Sequence, residues 1–159
     1  MKTKGYKVEL VTEWAKEAVY EQRLNTLTQN QLYVLAKQDH RLRRLYGNVD
    51  VVITDSPLPL SIVYAPTKGP FAEDWFKDAV LGTWRSYENI NVEVIRTKEY
   101  HTYGRTQTYE EAKEKDREIH NLMQALTFHE ATLRVEGDKE APYDTLEWIE
   151  RRGLIVPPL

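Results

Sequence analysis

The sequence predicts an α/β fold, a parallel sheet covered by helices on both faces. Two observations predict it. Short β-branched apolar runs alternate along the chain with longer segments of helical period. The composition is that of one ordinary domain: 159 residues, 41% hydrophobic and 30% charged, with a formal net charge of −3. A chain of this length buries a single core without covalent staples, and residues 1–159 read as one domain.

The elements follow in order. Residues 6–11 alternate and then run apolar, as a strand does. Thr12 follows at once and suits the cap of a helix opening at Glu13-Trp14-Ala15-Lys16. Residues 29–46 form a long helix, with Leu32, Leu35, Ala36, Leu42 and Leu45 as its apolar stripe and Gly47 at its C-terminal exit. Residues 49–54 are short, apolar and β-branched, a buried strand. Asp55-Ser56-Pro57 runs from that strand into a helix, with Ser56 as cap and Pro57 in the first helical position. Residues 66–70 are a loop. Residues 71–87 form a helix with Trp75, Ala79 and Trp84 inward, and residues 90–95 alternate as a strand. Residues 96–107, polar and aromatic, form a long loop. Thr108 and Glu111 make a capping box that opens a helix to about Leu126. A last strand at 131–135, a short helix at 144–151 and an end of order at Pro157-Pro158 complete the chain.

Composition excludes several chemistries. There is no cysteine, hence no disulfide, thiolate nucleophile or zinc-thiolate centre. No apolar run reaches the ~20 residues of a membrane span, and Met1-Lys2-Thr3-Lys4-Gly5 lacks the apolar core of a secretory signal. A cytoplasmic setting is the expectation. The slight acidity argues against a non-specific nucleic-acid binder, although the run His40-Arg41-Leu42-Arg43-Arg44 leaves a local basic face open. The four histidines, 40, 101, 120 and 129, show no metal-ligand spacing, and no G-x-S-x-G nucleophile turn is present.

In α/β sheets ligands bind beyond the carboxyl ends of the strands, and three features sit there. Glu13 follows the first strand. It either orients a substrate hydroxyl and takes its proton, or is a first-turn glutamate favoured by the helix dipole. Asp55 ends the second strand. It either binds Mg²⁺ beside phosphates, or satisfies the start of the next helix. The loop after the third strand carries Gly104 as a hinge and Arg105 as a cation able to close over phosphates, with Arg96 at the strand end as a second contact; the plain alternative is a solvated loop. Trp14, Tyr20, Tyr33, Trp75 and Trp84 either stack a base or belong to the core.

Four strings together resemble a known family. They are Gly5-Tyr6-Lys7-Val8-Glu9-Leu10-Val11-Thr12-Glu13-Trp14-Ala15-Lys16, then Gln31-Leu32-Tyr33 with Lys37-Gln38, then Val51-Val52-Ile53-Thr54-Asp55-Ser56-Pro57-Leu58, then Tyr103-Gly104-Arg105-Thr106-Gln107. They resemble bacteriophage P-loop AAA-type ATPases and kinases, a group similar to nicotinamide riboside kinases and, more distantly, to deoxynucleoside and nucleotide kinases. The resemblance spans residues 5–126. It implies the three-layer parallel sheet of the P-loop nucleoside and nucleotide kinases. It implies Glu13 as the substrate-side carboxylate, Asp55 as the Mg²⁺-associated carboxylate and Arg105 as the lid cation. Arg96, Tyr103 and Gln107 become phosphate or substrate contacts on a lid-like loop at 97–108. The implied cofactor is Mg-ATP, and the implied acceptor is a hydroxyl or phosphate of a nucleoside, a nucleotide or a modified base.

One element of that family is missing from these residues. The seven glycines are at 5, 47, 69, 82, 104, 137 and 153, and none is followed by lysine, so no G-x-x-x-x-G-K-[ST] loop is present. The expectation is a fold without the family's first strand, phosphate loop and first helix, beginning at its second strand. The missing strand lies mid-sheet in the family. The gap is then closed by pairing the chain's second and third strands, by a strand from another copy, or left partly open. An exposed edge favours a homo-oligomer. Two functions follow: phosphoryl transfer in a complete form, weak or inactive as given, or a non-catalytic module that sequesters a nucleotide or binds a host protein.

Overall fold

A computed structural model describes residues 1–97, 108–126 and 131–156. The chain divides into two compact units, Met1–Glu88 with Val156, and Asn89–Ile155.

The first unit contains β1 (Val8–Val11), α1 (Trp14–Tyr20), α2 (Leu24–Gln29), α3 (Gln31–Arg43), β2 (Val51–Thr54), α4 (Leu60–Val63) and α5 (Asp74–Trp84). β1 and β2 are parallel, in register from Val8–Val51 to Val11–Thr54. The ladder is pinned at its start, where Lys7 N donates to Asp50 Oδ2 at 2.7 Å and Lys7 O accepts from Asp50 N at 2.9 Å. Leu58, Phe76 and Val80 are its most deeply buried large side chains.

Two helices match the expected inward face only in part, at Leu35 in α3 and at Trp84 in α5. α3 buries Gln31, Leu35 and Gln38, whereas Leu32 is 45% exposed. Positions 31, 35 and 38 share one helical face, and both glutamines there bond other segments: Gln31 Nε2 donates to Leu27 O, and Gln38 Oε1 accepts from Trp14 N. Hydrogen bonding, rather than apolarity alone, set that face. α5 buries Phe76, Val80 and Trp84, while Trp75 is 46% exposed with its ring against Phe71 and Phe76. The expected helix at Pro57 begins three residues later. Pro59 disfavours helical backbone at Leu58, so residues 57–60 form a turn and α4 starts at Leu60. α3 ends at Arg43 with Arg44 as a right-handed cap, so Gly47 does not take the expected place just past the helix; it lies in the following turn at φ +76°, where an added Cβ would meet nothing within 4 Å, so the requirement for glycine is conformational.

The second unit contains β3 (Ile90–Ile95), α6 (Tyr109–Leu126), β4 (Ala131–Glu136) and α7 (Ala141–Arg151). β3 and β4 are parallel, in register from Ile90–Ala131 to Ile95–Glu136. α6 opens with a reciprocal capping box: Glu111 N donates to Thr108 Oγ1 at 3.3 Å, and Thr108 N donates to Glu111 Oε2 at 2.7 Å. α7 starts at Ala141, earlier than expected, because Asp138 Oδ1 accepts from Glu140 N and Ala141 N at 2.9 and 3.1 Å and Pro142 sits in its first turn. Gly137 N donates to Ile95 O at 2.8 Å, and a Cβ at Gly137 would lie 2.7 Å from that oxygen.

The architecture is thus α/β with parallel strands, but the four described strands form two two-stranded sheets rather than one. Each pair is joined by its own helical crossover. No described helix is long and apolar enough to cross a membrane.

Candidate functional site

The register that pairs Val11 with Thr54 carries both following segments off the same end of the β1–β2 ladder. Glu13 and Asp55 stand there, each at the carboxyl end of its strand. Glu13 is in extended conformation (φ −60°, ψ 123°) immediately before α1, and no side chain of its own segment caps the helix. Thr12 therefore does not play the capping role expected of it. The cap comes from α3 instead: Gln38 Oε1 accepts from the Trp14 backbone N–H at 3.0 Å. Gln38 Nε2 faces Thr54 Oγ1 at 3.5 Å, and Thr54 Oγ1 also accepts from Ser56 N at 3.1 Å. Trp14 is buried with its ring edge-on to Tyr33, centroids 5.4 Å apart.

Glu13 and Asp55 are both surface residues. Partial desolvation of the Glu13 carboxyl, followed by the negative charge of Asp55, raises its pKa above the ordinary value, while Lys16 opposes the shift. The charge of Asp55 is thus felt at Glu13. A divalent cation in phosphoryl transfer takes one or two carboxylates and completes its shell with phosphate oxygens and water. Among the described residues no cluster of three or more His, Asp or Glu could hold a metal through protein ligands alone.

Arg96 lies in the second unit and grips Asp116 with two nitrogens: Nη2 donates to both carboxylate oxygens at 3.1 Å and Nε to Oδ2 at 3.3 Å. Tyr103, Arg105 and Gln107 fall outside the described residues, as does the lid-like loop apart from its two ends. At those ends Thr97 Oγ1 donates to Gly137 O at 2.9 Å, and Thr108 caps α6.

The basic run on α3 is largely engaged within its own unit. Arg41 Nη1 donates to Thr12 O at 3.3 Å and to Glu17 Oε1 at 3.0 Å. That pairing holds the Glu17 carboxyl below its ordinary value. Arg43 Nη2 donates to Ser86 Oγ at 2.7 Å and Asp39 Oδ1 at 3.2 Å, and its guanidinium stands 4.2 Å from the centre of the Tyr87 ring. The Tyr87 hydroxyl donates to Asp39 Oδ1 at 2.5 Å, and burial together with that bond pushes its pKa well above the usual phenol range. Arg41 and Arg43 are thus engaged with groups of their own unit.

Gln38 is the site residue that pattern reading missed. It stands in one of the strings that carry the resemblance, with no role assigned there, and as a polar side chain at inward helical spacing from Leu35. A scan of the chain against protein-family models and a search among curated proteins both found no match.

Proposed function

We propose that this chain is of the P-loop nucleoside and nucleotide kinase type, carrying out phosphoryl transfer in a complete form and weak or inactive as given. In this reading Asp55 associates with Mg²⁺ of Mg-ATP, and Glu13 orients a hydroxyl of a nucleoside, nucleotide or modified base and takes its proton. Arg96, Tyr103, Arg105 and Gln107 contact phosphates or substrate. The observation that carries the reading is the pair of carboxylates leaving adjacent parallel strands at one end of the ladder, with the charge of Asp55 felt at Glu13.

A second reading is a non-catalytic module that binds a nucleotide or a protein, alone or as a homo-oligomer. It is favoured by the lack of a G-x-x-x-x-G-K-[ST] loop in these residues and by Leu10 and Ile53, register partners that are both exposed on one face of the first sheet.

Binding of Mn²⁺, used as a Mg²⁺ probe and followed by water-proton relaxation with and without ATP, separates the two. The kinase reading expects Mn²⁺ binding that falls about tenfold or more in Asp55→Asn, together with weak ATP binding by this chain alone. No Mn²⁺ binding under either condition would leave the non-catalytic module.

A further inference from the structure

Gln38 lies well inside α3 and is only 4% exposed. A buried amide is costly unless both its ends are bonded. Here both ends have partners, and the partners belong to different strands' exits. Oε1 accepts the N–H of Trp14, the residue after Glu13, at 3.0 Å. Nε2 donates toward Oγ1 of Thr54, the residue before Asp55, at 3.5 Å. The Trp14 N–H can only donate, which decides which end of the amide faces β1. The Thr54 hydroxyl is itself held by the N–H of Ser56 at 3.1 Å. The backbone register ends at Val11–Thr54, short of both carboxylates. One side chain from a third element therefore spans the two exits where the ladder stops.

We propose that Gln38 is a positioning residue, whose buried amide ties the exit of β1 to the exit of β2 and so fixes the spacing of the Glu13 and Asp55 carboxylates. The inference rests on reading those carboxylates as a cation- and substrate-facing pair. The tie is uncharged, so it sets geometry without neutralising either carboxylate. A glutamine that merely capped α1 would protect the Trp14 amide and leave cation binding at the strand ends untouched. A positioning glutamine affects both.

The test compares the full chain with Gln38→Met, which keeps the length of the side chain and removes both hydrogen bonds. Thr54→Val cuts the same tie from the β2 end and serves if Gln38→Met does not fold. Two quantities are read. Native-state hydrogen exchange of the Trp14 amide reports the cap, with the amides of β3 and β4 as internal control. Mn²⁺ affinity by water-proton relaxation reports the carboxylate pair. The expected result is Trp14 exchange faster by about tenfold or more in Gln38→Met, and Mn²⁺ affinity lower by about tenfold in both variants, the size typical of losing a residue that orients a metal ligand. Unchanged Mn²⁺ affinity in variants that fold, with wild type binding Mn²⁺, overturns the positioning role and leaves Gln38 a cap. Failure of the wild type itself to bind Mn²⁺ overturns the reading of the carboxylates and the positioning role with it, and is distinguished by the wild-type measurement alone.

Discussion

The two parallel pairs have the same backbone arrangement and different side-chain chemistry. Around β1 and β2 the buried polar tie is neutral: the Gln38 amide meets the Trp14 N–H and the Thr54 hydroxyl. Around β3 and β4 the ties are ionic. The Glu93 side chain, 14% exposed, receives His120 Nδ1 on one oxygen at 2.8 Å and Arg134 Nε on the other at 3.4 Å. Arg96 holds Asp116 beside them in the same unit. The difference separates two uses of a carboxylate. In the second unit each of these carboxylates already has its counter-charge, and its charge serves the fold. In the first unit Glu13 and Asp55 form no salt bridge with a described residue, and partial burial, followed by the charge of Asp55 and opposed by Lys16, raises the Glu13 pKa.

Three perturbations break or sharpen that comparison. The largest effect is expected from Phe76→Ala. Phe76 is 1% exposed in the first unit, and truncating a buried phenylalanine costs about 3–5 kcal/mol. Denaturant unfolding followed at the amides of β1 and β2 should shift by that amount, with the amides of β3 and β4 reporting whether the second unit is affected.

A smaller effect is the pH dependence contributed by Glu13. Its folded pKa is raised, so over the range from the ordinary carboxylate value to the folded value the native state binds more protons than the unfolded state. This contribution lowers stability as pH rises through that range. Glu13→Gln should remove it, and Asp55→Asn should reduce it, in unfolding curves collected across mildly acidic pH. A slope unchanged in Glu13→Gln would remove the carboxylate coupling from the account.

The smallest effect is expected from Arg96→Ala. The pair with Asp116 is part-exposed and contributes about 0.2–1 kcal/mol at low salt. In ~1 M salt, where screening acts over about 3 Å, the difference between Arg96→Ala and wild type should shrink. Protection of the Trp14 amide by neutral Gln38 should respond far less to the same salt, and an equal response would erase the distinction between the two units.

Much of this was legible in the sequence where a local signal decides the structure. The β3 bounds follow from strict alternation, and the start of α6 follows from Thr108 and Glu111, because both depend on near neighbours. The placement of Glu13 and Asp55 after β1 and β2 was legible for the same reason. What escaped depends on contacts distant in sequence. Trp14 is capped from 24 positions away, which no capping pattern around Thr12 reveals. On α3 the burial of Leu35 was legible but that of Gln31 and Gln38 was not, because these glutamines are buried for their hydrogen-bond partners and not for hydrophobicity. On α5 the burial of Trp84 was legible, but a tryptophan and a phenylalanine are adjacent at 75 and 76, and apolarity alone does not say which turns in. The separation into two sheets is likewise a property of which strands meet, to which alternation along the chain is blind.

The close approach at Gly137 has a consequence for how β3 and β4 find each other. In the native register the position beside the Ile95 carbonyl is filled by a residue with no side chain, and even a methyl group would collide there. Sliding β4 by one residue would bring Glu136 or Asp138 to that place, while turning every alternate side chain to the wrong face. Glycine at this point therefore acts as an end-stop. It admits one alignment of the two strands and sterically penalises its nearest neighbours, so the pairing checks itself at its last rung.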